Sequence, residues 1–219
     1  MGFEPKRCVV VGAAGGLGSA FVDHLLERQG VERVYALSRS KATTRNDERI
    51  VTAHFDYRDH QSIDAAAEEF GQGGPLDLVI VATGLLHGDD GFGPEKSLRD
   101  IDPDALARSY LINAIGPALV AKAFLPLLGR QSKSVFAAIS ARVGSISDNR
   151  IGAGYGYRAP KAGLNQILRT ASIEHARRWP ESVVICLHPG TVDTDLSKPF
   201  QRNVARGKLF TPEYSTRQM

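Results

Sequence analysis

Cysteine, methionine and tryptophan are nearly absent from this chain, which has two, two and one of them among 219 residues. Cys8 and Cys186 both lie inside apolar runs, RCVVVG and VVICLHPG, and read as buried small hydrophobes. So low a count excludes a disulfide-dense secreted scaffold. The six histidines, at 24, 54, 60, 87, 175 and 188, include no H-x-x-x-H pair, and C-x-x-C is lacking too. No metal site is therefore expected. The G-x-S-x-G elbow is also missing, which argues against a Ser-His-Asp hydrolase. No apolar run reaches about 18 residues, no hydrophobic signal core opens the chain, and Lys6 stands where a myristoylation pattern needs Ser or Thr. The expectation is a cytoplasmic protein without a membrane partner. Charge of one sign is not in excess either: 27 Lys and Arg against 24 Asp and Glu give a net +3, scattered and not gathered in a stripe. A nucleic-acid partner is not expected.

What is present is ordinary for a folded domain, with 42% hydrophobic and 23% charged residues. No break in composition divides residues 1–219, so one domain is expected. Short apolar runs bounded by turn residues recur at 7–11, 33–37, 50–55, 76–82, 134–139 and 183–188, and each reads as a strand buried on both faces. Helix-length amphipathic stretches lie between them, at 17–29, 61–70, 103–128 and 158–178. Alternating strands and helices give parallel βαβ units, and hence an α/β, Rossmann-like, doubly wound sheet in order 3-2-1-4-5-6 with helices on both faces. A ligand would lie across the carboxyl ends of its strands. The segments 84–102 and 195–210 are expected to be substrate loops.

After the first strand comes VGAAGGLGSAFVDHLL. Glycines there permit a tight turn and let backbone N–H groups approach a pyrophosphate at a helix N-terminus. G-x-G-x-x-G fails because Phe21 takes the third place, whereas Gly12, Gly16 and Gly18 fit G-x-x-x-G-x-G and Gly12, Gly15 and Gly18 fit G-x-x-G-x-x-G. Gly12, Gly16, Leu17 and Gly18 are the candidate phosphate-binding residues. Far along the chain stands Tyr157-x-x-x-Lys161. Tyr155 has only Ala159 four residues on and is the weaker partner for a lysine.

The first glycine spacing and the Tyr157/Lys161 pair together resemble the short-chain dehydrogenase/reductase family. LINAIGP around Asn113, PGTVDT at 189–194 and FDYRD after the third strand spread the resemblance over most of the chain. The GSI…YxYRxxK cadence is similar to the subgroup of C-factor-like and sniffer-like carbonyl reductases. The second glycine spacing resembles longer, epimerase-like members.

A phenol with a pKa of about 10 exchanges protons poorly at pH 7. Lys161, one helical turn on, and an oxidised nicotinamide would favour the phenolate, fitting Tyr157 for general acid/base catalysis. The resemblance further implies that Lys161 bonds the nicotinamide ribose and that Asn113 serves a water-linked proton relay. Pro160 is tolerated only in a first turn, so the helix is expected to begin close to Tyr157. In the family a carbonyl-polarising serine begins an S-x-x-G pattern, and counted back from Gly144 that position is Ala141. Ser140 is taken as the candidate, with Ser145, twelve residues before Tyr157, as the alternative. If neither reaches the carbonyl, Tyr157 alone donates and turnover is slower.

The corner after the second strand reads ALSRS, so Ser38 and Arg39 point to NADP(H) in preference to NAD(H), since a guanidinium pairs with a 2′-phosphate. The resemblance places Asp56 and Tyr57 near the adenine. Ala82, Thr83 and Gly84 stand in place of an Asn-rich turn. Pro189, Gly190, Val192 and Thr194 resemble the segment that holds the carboxamide. Family members continue past the sixth strand into a final helix and strand that this chain is expected to lack, leaving an edge for a partner to cover. A homodimer or homotetramer through 103–128 and 158–178 is expected. The function expected is reduction of a small carbonyl, or oxidation of the matching alcohol. A catalytically weak dinucleotide-binding sensor and a nucleotide-sugar epimerase are the alternatives.

Overall fold

A computed structural model describes residues 3–40 and 45–219. Six parallel strands form one sheet: β1 (Arg7–Val11), β2 (Arg33–Ser38), β3 (Ile50–His54), β4 (Leu78–Val81), β5 (Ser134–Ile139) and β6 (Ser182–Leu187). Their order is β3-β2-β1-β4-β5-β6, as expected from the alternation of apolar runs and helical stretches. Successive side chains point to opposite faces. Val9, Val11, Val79, Val81, Phe136 and Ala138 therefore build one core layer. Cys8, Val10, Ile80 and Ile139 build the other.

The first layer is covered by α2 (His60–Gly71), α4 (Gly116–Phe124) and α5 (Tyr155–Ala176), with α3 (Pro103–Tyr110) leading into α4. Phe70, Phe124 and Phe136 are at most 1% exposed there, each worth roughly 1.5–3 kcal/mol of burial. α1 (Gly16–Leu26) covers the second layer. Two helix starts follow from capping residues. Asp59 accepts the Gln61 amide before α2, and Asp102, followed by Pro103, accepts the Ala105 amide before α3.

The structure departs from the expected elements in three places. The helix expected over 103–128 runs as α3 and α4 joined through a π-helical turn, Leu111–Ile115, containing Asn113. Residues Pro103–Leu127 are long and apolar enough to cross a membrane, with a mean hydropathy of 1.4, yet Val120, Ala121 and Phe124 are built into the core. α5 begins at Tyr155, so Pro160 falls in its second turn. A final helix does exist: α6 (Pro212–Gln218), capped by Thr211, follows the short strands β7 (Thr191–Val192) and β8 (Leu209–Phe210) and packs on α1. It leaves β6 at the sheet edge, where Val183 is 50% exposed.

Candidate active site

Three glycines shape the turn after β1, each for a definable reason. Gly12 has φ 87°, which L side chains rarely adopt, and a Cβ there would lie 2.9 Å from Thr83 Cγ2. A Cβ on Gly18 would run into the Gly12 carbonyl, so the first turn of α1 packs on β1 only as glycine. A Cβ on Gly16 would stand 2.5 Å from Thr194 Cγ2. Gly15 meets only the Gly12 oxygen at 3.4 Å. The close-approach requirement thus follows the Gly12, Gly16, Gly18 spacing.

A cleft of about 1020 Å3 runs along the carboxyl ends of the strands. Gly16 and Leu17 line it from the glycine turn, Ala82, Thr83 and Gly84 from the end of β4, and Ser140 from the end of β5. Tyr157 and Lys161 enter from α5, and Pro189, Gly190, Val192 and Thr194 from the segment after β6. Residues scattered from 16 to 194 in sequence are thereby gathered in one place. Leu86 and Pro94, and Leu196, Phe200 and Phe210, bring the two expected substrate loops to the same cleft.

Lys161 is 1% exposed, and its Nζ donates to the Ile139 carbonyl at 2.8 Å. Burial pushes its pKa down to about 8. Burial also pushes the Tyr157 hydroxyl up, to about 12. The Lys161 Nζ stands 5.7 Å from the Tyr157 ring centroid. Burial by itself thus favours the protonated phenol, opposite in sense to the lowering expected from Lys161 together with an oxidised nicotinamide.

The start of α5 is held from outside. Gly152, Ala153 and Gly154 have φ values of 71°, 56° and 60°, and Gly154 offers no side chain to cap the helix. Glu95 supplies the cap: its Oε2 accepts the Gly156 amide at 2.8 Å and its carbonyl accepts the Gly154 amide at 2.7 Å. Pro160 has no N–H for the Gly156 carbonyl, and the Ser109 hydroxyl donates to that oxygen instead. Asn113 Nδ2 in turn donates to Ser109 Oγ at 3.0 Å and to the Leu85 carbonyl at 2.8 Å, while Oδ1 accepts the Leu85 amide at 3.1 Å. Asn113 is fully buried and does not line the cleft. Its side chain links the loop after β4 to Ser109 of α3, and through the Ser109 hydroxyl to Gly156 of α5. Glu95 and Ser109 were missed by sequence reasoning. Pro160 inside a helix was the one available signal, because it announces an unpaired carbonyl four residues back.

The serine question has a geometric answer. Ser140 lines the cleft, but its hydroxyl donates to Asn165 Oδ1 of α5 at 2.7 Å. Ala141 lines the cleft beside it. Ser145 does not; its Oγ accepts the Asp148 amide at 3.3 Å in the following loop.

The remaining expected cofactor residues lie outside the cleft lining. Ser38 is buried at the end of β2 and donates to the Ser40 carbonyl, and Arg39 is exposed next to it. Asp56 opens the turn into α2, its Oδ1 accepting the Arg58 amide at 2.9 Å. Tyr57 turns its side chain into the core. Its ring is 3% exposed within the core, against the bare backbone of Gly116, and its hydroxyl bonds Thr83 Oγ1 at 2.7 Å. An aromatic ring edge-on to Phe55 and enclosed by that core has no free face for a base. Tyr57 ties the turn before α2 to Thr83 at the end of β4.

The sheet order, glycine turn and cleft at the carboxyl ends define a Rossmann-like α/β protein. The family model for short chain dehydrogenases matches residues 6–205. The chain belongs to the short chain dehydrogenase family of NAD(P)-dependent oxidoreductases. It is 37% identical over 127 residues to the C-signal protein of Myxococcus xanthus, a match covering 58% of this chain and 71% of that protein. It is 32% identical over 146 residues to 1-hydroxy-2-glutathionyl-2-methyl-3-butene dehydrogenase of Rhodococcus sp. (strain AD45), covering 66% of this chain and 60% of the relative. Among solved structures, the NADPH-bound carbonyl reductase from chicken fatty liver superposes with a TM-score of 0.82 at 26% identity, over 99% of this chain and 87% of that one. The carbonyl reductase Sniffer of D. melanogaster shares the fold, with a TM-score of 0.83 at 21% identity over 97% and 89% of the two chains.

Proposed function

We propose that the protein is an NADP(H)-dependent reductase of small carbonyls, or a dehydrogenase of the matching alcohols, with Tyr157 as general acid/base. The observation that carries this reading is the convergence of Tyr157, Lys161 and the glycine turn on one cleft. The cleft fits a dinucleotide: glycines keep its phosphate end free of Cβ atoms, and Arg39 stands exposed at the end of β2, where a 2′-phosphate would be met. The similarity to a carbonyl reductase solved with NADPH supports the same choice.

A bound reduced nicotinamide supplies the hydride. Tyr157, protonated at neutral pH, gives its hydroxyl proton to the carbonyl oxygen as that oxygen becomes an alkoxide. Lys161, fixed by the Ile139 carbonyl, would hold the nicotinamide ribose through its remaining N–H groups and steady the phenolate left behind. Pro189, Gly190, Val192 and Thr194 flank the nicotinamide end, and Thr194 meets Gly16 across the cleft. Asp56, in the turn before α2, would contact the adenine. Ser140 ties β5 to α5 through Asn165, so the oxyanion is served chiefly by Tyr157. Asn113 acts as a positioning residue. The reading includes a cytoplasmic location and a homodimer or homotetramer through α4 and α5, whose flanks expose Ile115, Ile167 and Ile173.

The test is to follow reduced-cofactor absorbance with NADPH and with NADH over a panel of aldehydes, quinones and diketones. Turnover with NADPH, and a rise in its KM in Arg39→Ala that NADH does not share, is the expected result. Cofactor binding with no turnover on any carbonyl would overturn the reading.

A further inference from the structure

We propose that Arg158 is an anion-binding residue of this cleft and that its substrates are aldehydes or ketones carrying a carboxylate; this deepens the reductase reading and rests on it. Arg158 follows Tyr157 in α5 and lines the same cleft. Its Nε donates to the carbonyls of Gly152 at 3.2 Å and Ala153 at 2.9 Å. Those two bonds fix the plane of the guanidinium. No described residue accepts from Nη1 or Nη2, so the outer edge of the group remains free. Two N–H groups on a fixed planar edge match a carboxylate in bidentate geometry, and an arginine keeps its charge at any working pH.

The wall that holds Arg158 is itself unusual. Ala153 is the non-glycine residue with positive φ, 56°, among the described residues. Backbone strain of this kind persists where its surroundings over-determine it, and it gathers at ligand sites. Here Arg158 grips the turn from one side and the Glu95 carbonyl takes the Gly154 amide on the other.

The charges around the cleft lean the same way. Arg142 and Lys208 also line it, and Asp195 is the acid among its described lining residues. Asp195 already faces Lys198 at 3.1 Å, and Arg142 faces Asp148 at 3.0 Å. Arg158 is thus the lining guanidinium without a carboxylate. It belongs to the β5–α5 side of the cleft, two strands from the glycine turn after β1, roughly 10 Å at ordinary strand spacing. Dinucleotide phosphates taken up at that turn do not account for it, whereas Arg158 lines the same cleft as Tyr157, where a substrate would sit.

Two aldehydes of nearly equal shape separate the possibilities: 4-carboxybenzaldehyde, an anion at neutral pH, and its methyl ester, which is neutral. Binding is measured by calorimetry on protein saturated with NADP+, where no reduction takes place, and kcat/KM is measured with NADPH. The wild type is expected to bind the carboxylate at least tenfold more tightly than the ester. Arg158→Gln is expected to abolish that preference while changing ester binding less than threefold, and Arg158→Lys, which keeps the charge but not the fork, to retain part of it. Arg142→Gln and Lys208→Gln are expected to keep the preference. Equal affinity for both aldehydes in the wild type, an equal loss for both in Arg158→Gln, or a preference erased only by Arg142→Gln would overturn the proposal. Absence of NADPH consumption with either aldehyde would instead strike the reductase reading, and calorimetry would still decide for or against the anion site.

Discussion

The hydroxyl of Ser109 donates to the carbonyl of Gly156, the acceptor that Pro160 leaves without an amide in α5. Ser109 is 1% exposed, so its removal strands a buried carbonyl one residue before Tyr157. Ser109→Ala is expected to cost about 1–3 kcal/mol in urea unfolding. Pro160→Ala restores an N–H in reach of the same oxygen. The double variant is therefore expected to be more stable than the sum of the single changes, by at least about 0.5 kcal/mol. Strict additivity would show that the two residues do not share that carbonyl.

Glu95 caps α5 across 61 residues of sequence, which makes the helix start depend on a distant loop. Glu95→Ala is expected to cost about 1–2 kcal/mol. The local signature is faster hydrogen exchange at the amide of Gly156, with the amides of β1 unchanged and Gly154, whose acceptor is the Glu95 backbone carbonyl, less affected. Uniform acceleration over the whole sheet would point to general destabilisation and not to a lost cap.

Gly16 and Thr194 press against one another across the cleft. Gly16→Ala is expected to weaken dinucleotide binding, and Thr194→Ser in the same chain to recover it in part, because the atom nearest the new Cβ is the Thr194 methyl, at 2.5 Å. Gly18→Ala has no such remedy, since the obstacle is the backbone oxygen of Gly12. Calorimetric titration with NADP+ reads all three variants.

Burial lowers Lys161 from 10.5 to about 8, and this sets a pH window. Between those values the folded chain releases the proton before the unfolded chain does. The unfolded state then binds more protons, so the contribution of Lys161 to stability rises with pH. Tyr157, raised from 10.0 to about 12, acts in the opposite sense only above pH 10. The difference in unfolding free energy between wild type and Lys161→Met is expected to rise by on the order of 2 kcal/mol from pH 8 to pH 10. A flat difference curve would mean that the amine is not desolvated as the structure has it.

The strands were legible because each is a short apolar run, and β1, β2, β4 and β5 are buried on both faces, whereas the edge strands β3 and β6 are only partly covered. RCVVV, LVIV and SVFAAI offer no polar alternation to misread. The glycine turn and the Tyr157/Lys161 pair were legible because one helical turn of spacing fixes their relation. What escaped notice is long-range. Glu95 and Ser109 act on Gly156 across 61 and 47 residues, and no local pattern marks either of them. Tyr57 and Asn113 occupy expected places in the chain, but the packing against Gly116 and the π-helical turn at Leu111–Ile115 decide where their side chains go. Ser140 shows the limit from the other side. Its position at the strand end was readable, whereas the acceptor that takes its proton, Asn165, lies 25 residues away on α5.

Proton donation by Tyr157 is tested most directly by single-turnover NADPH oxidation in Tyr157→Phe, alongside calorimetry for NADP+. The variant loses only a hydroxyl at the cleft, so cofactor affinity and thermal stability are expected to stay close to wild type while the hydride-transfer rate falls by roughly 10²–10⁴. A phenylalanine variant that oxidises NADPH at the wild-type rate with the same aldehyde would contradict the role given to that hydroxyl.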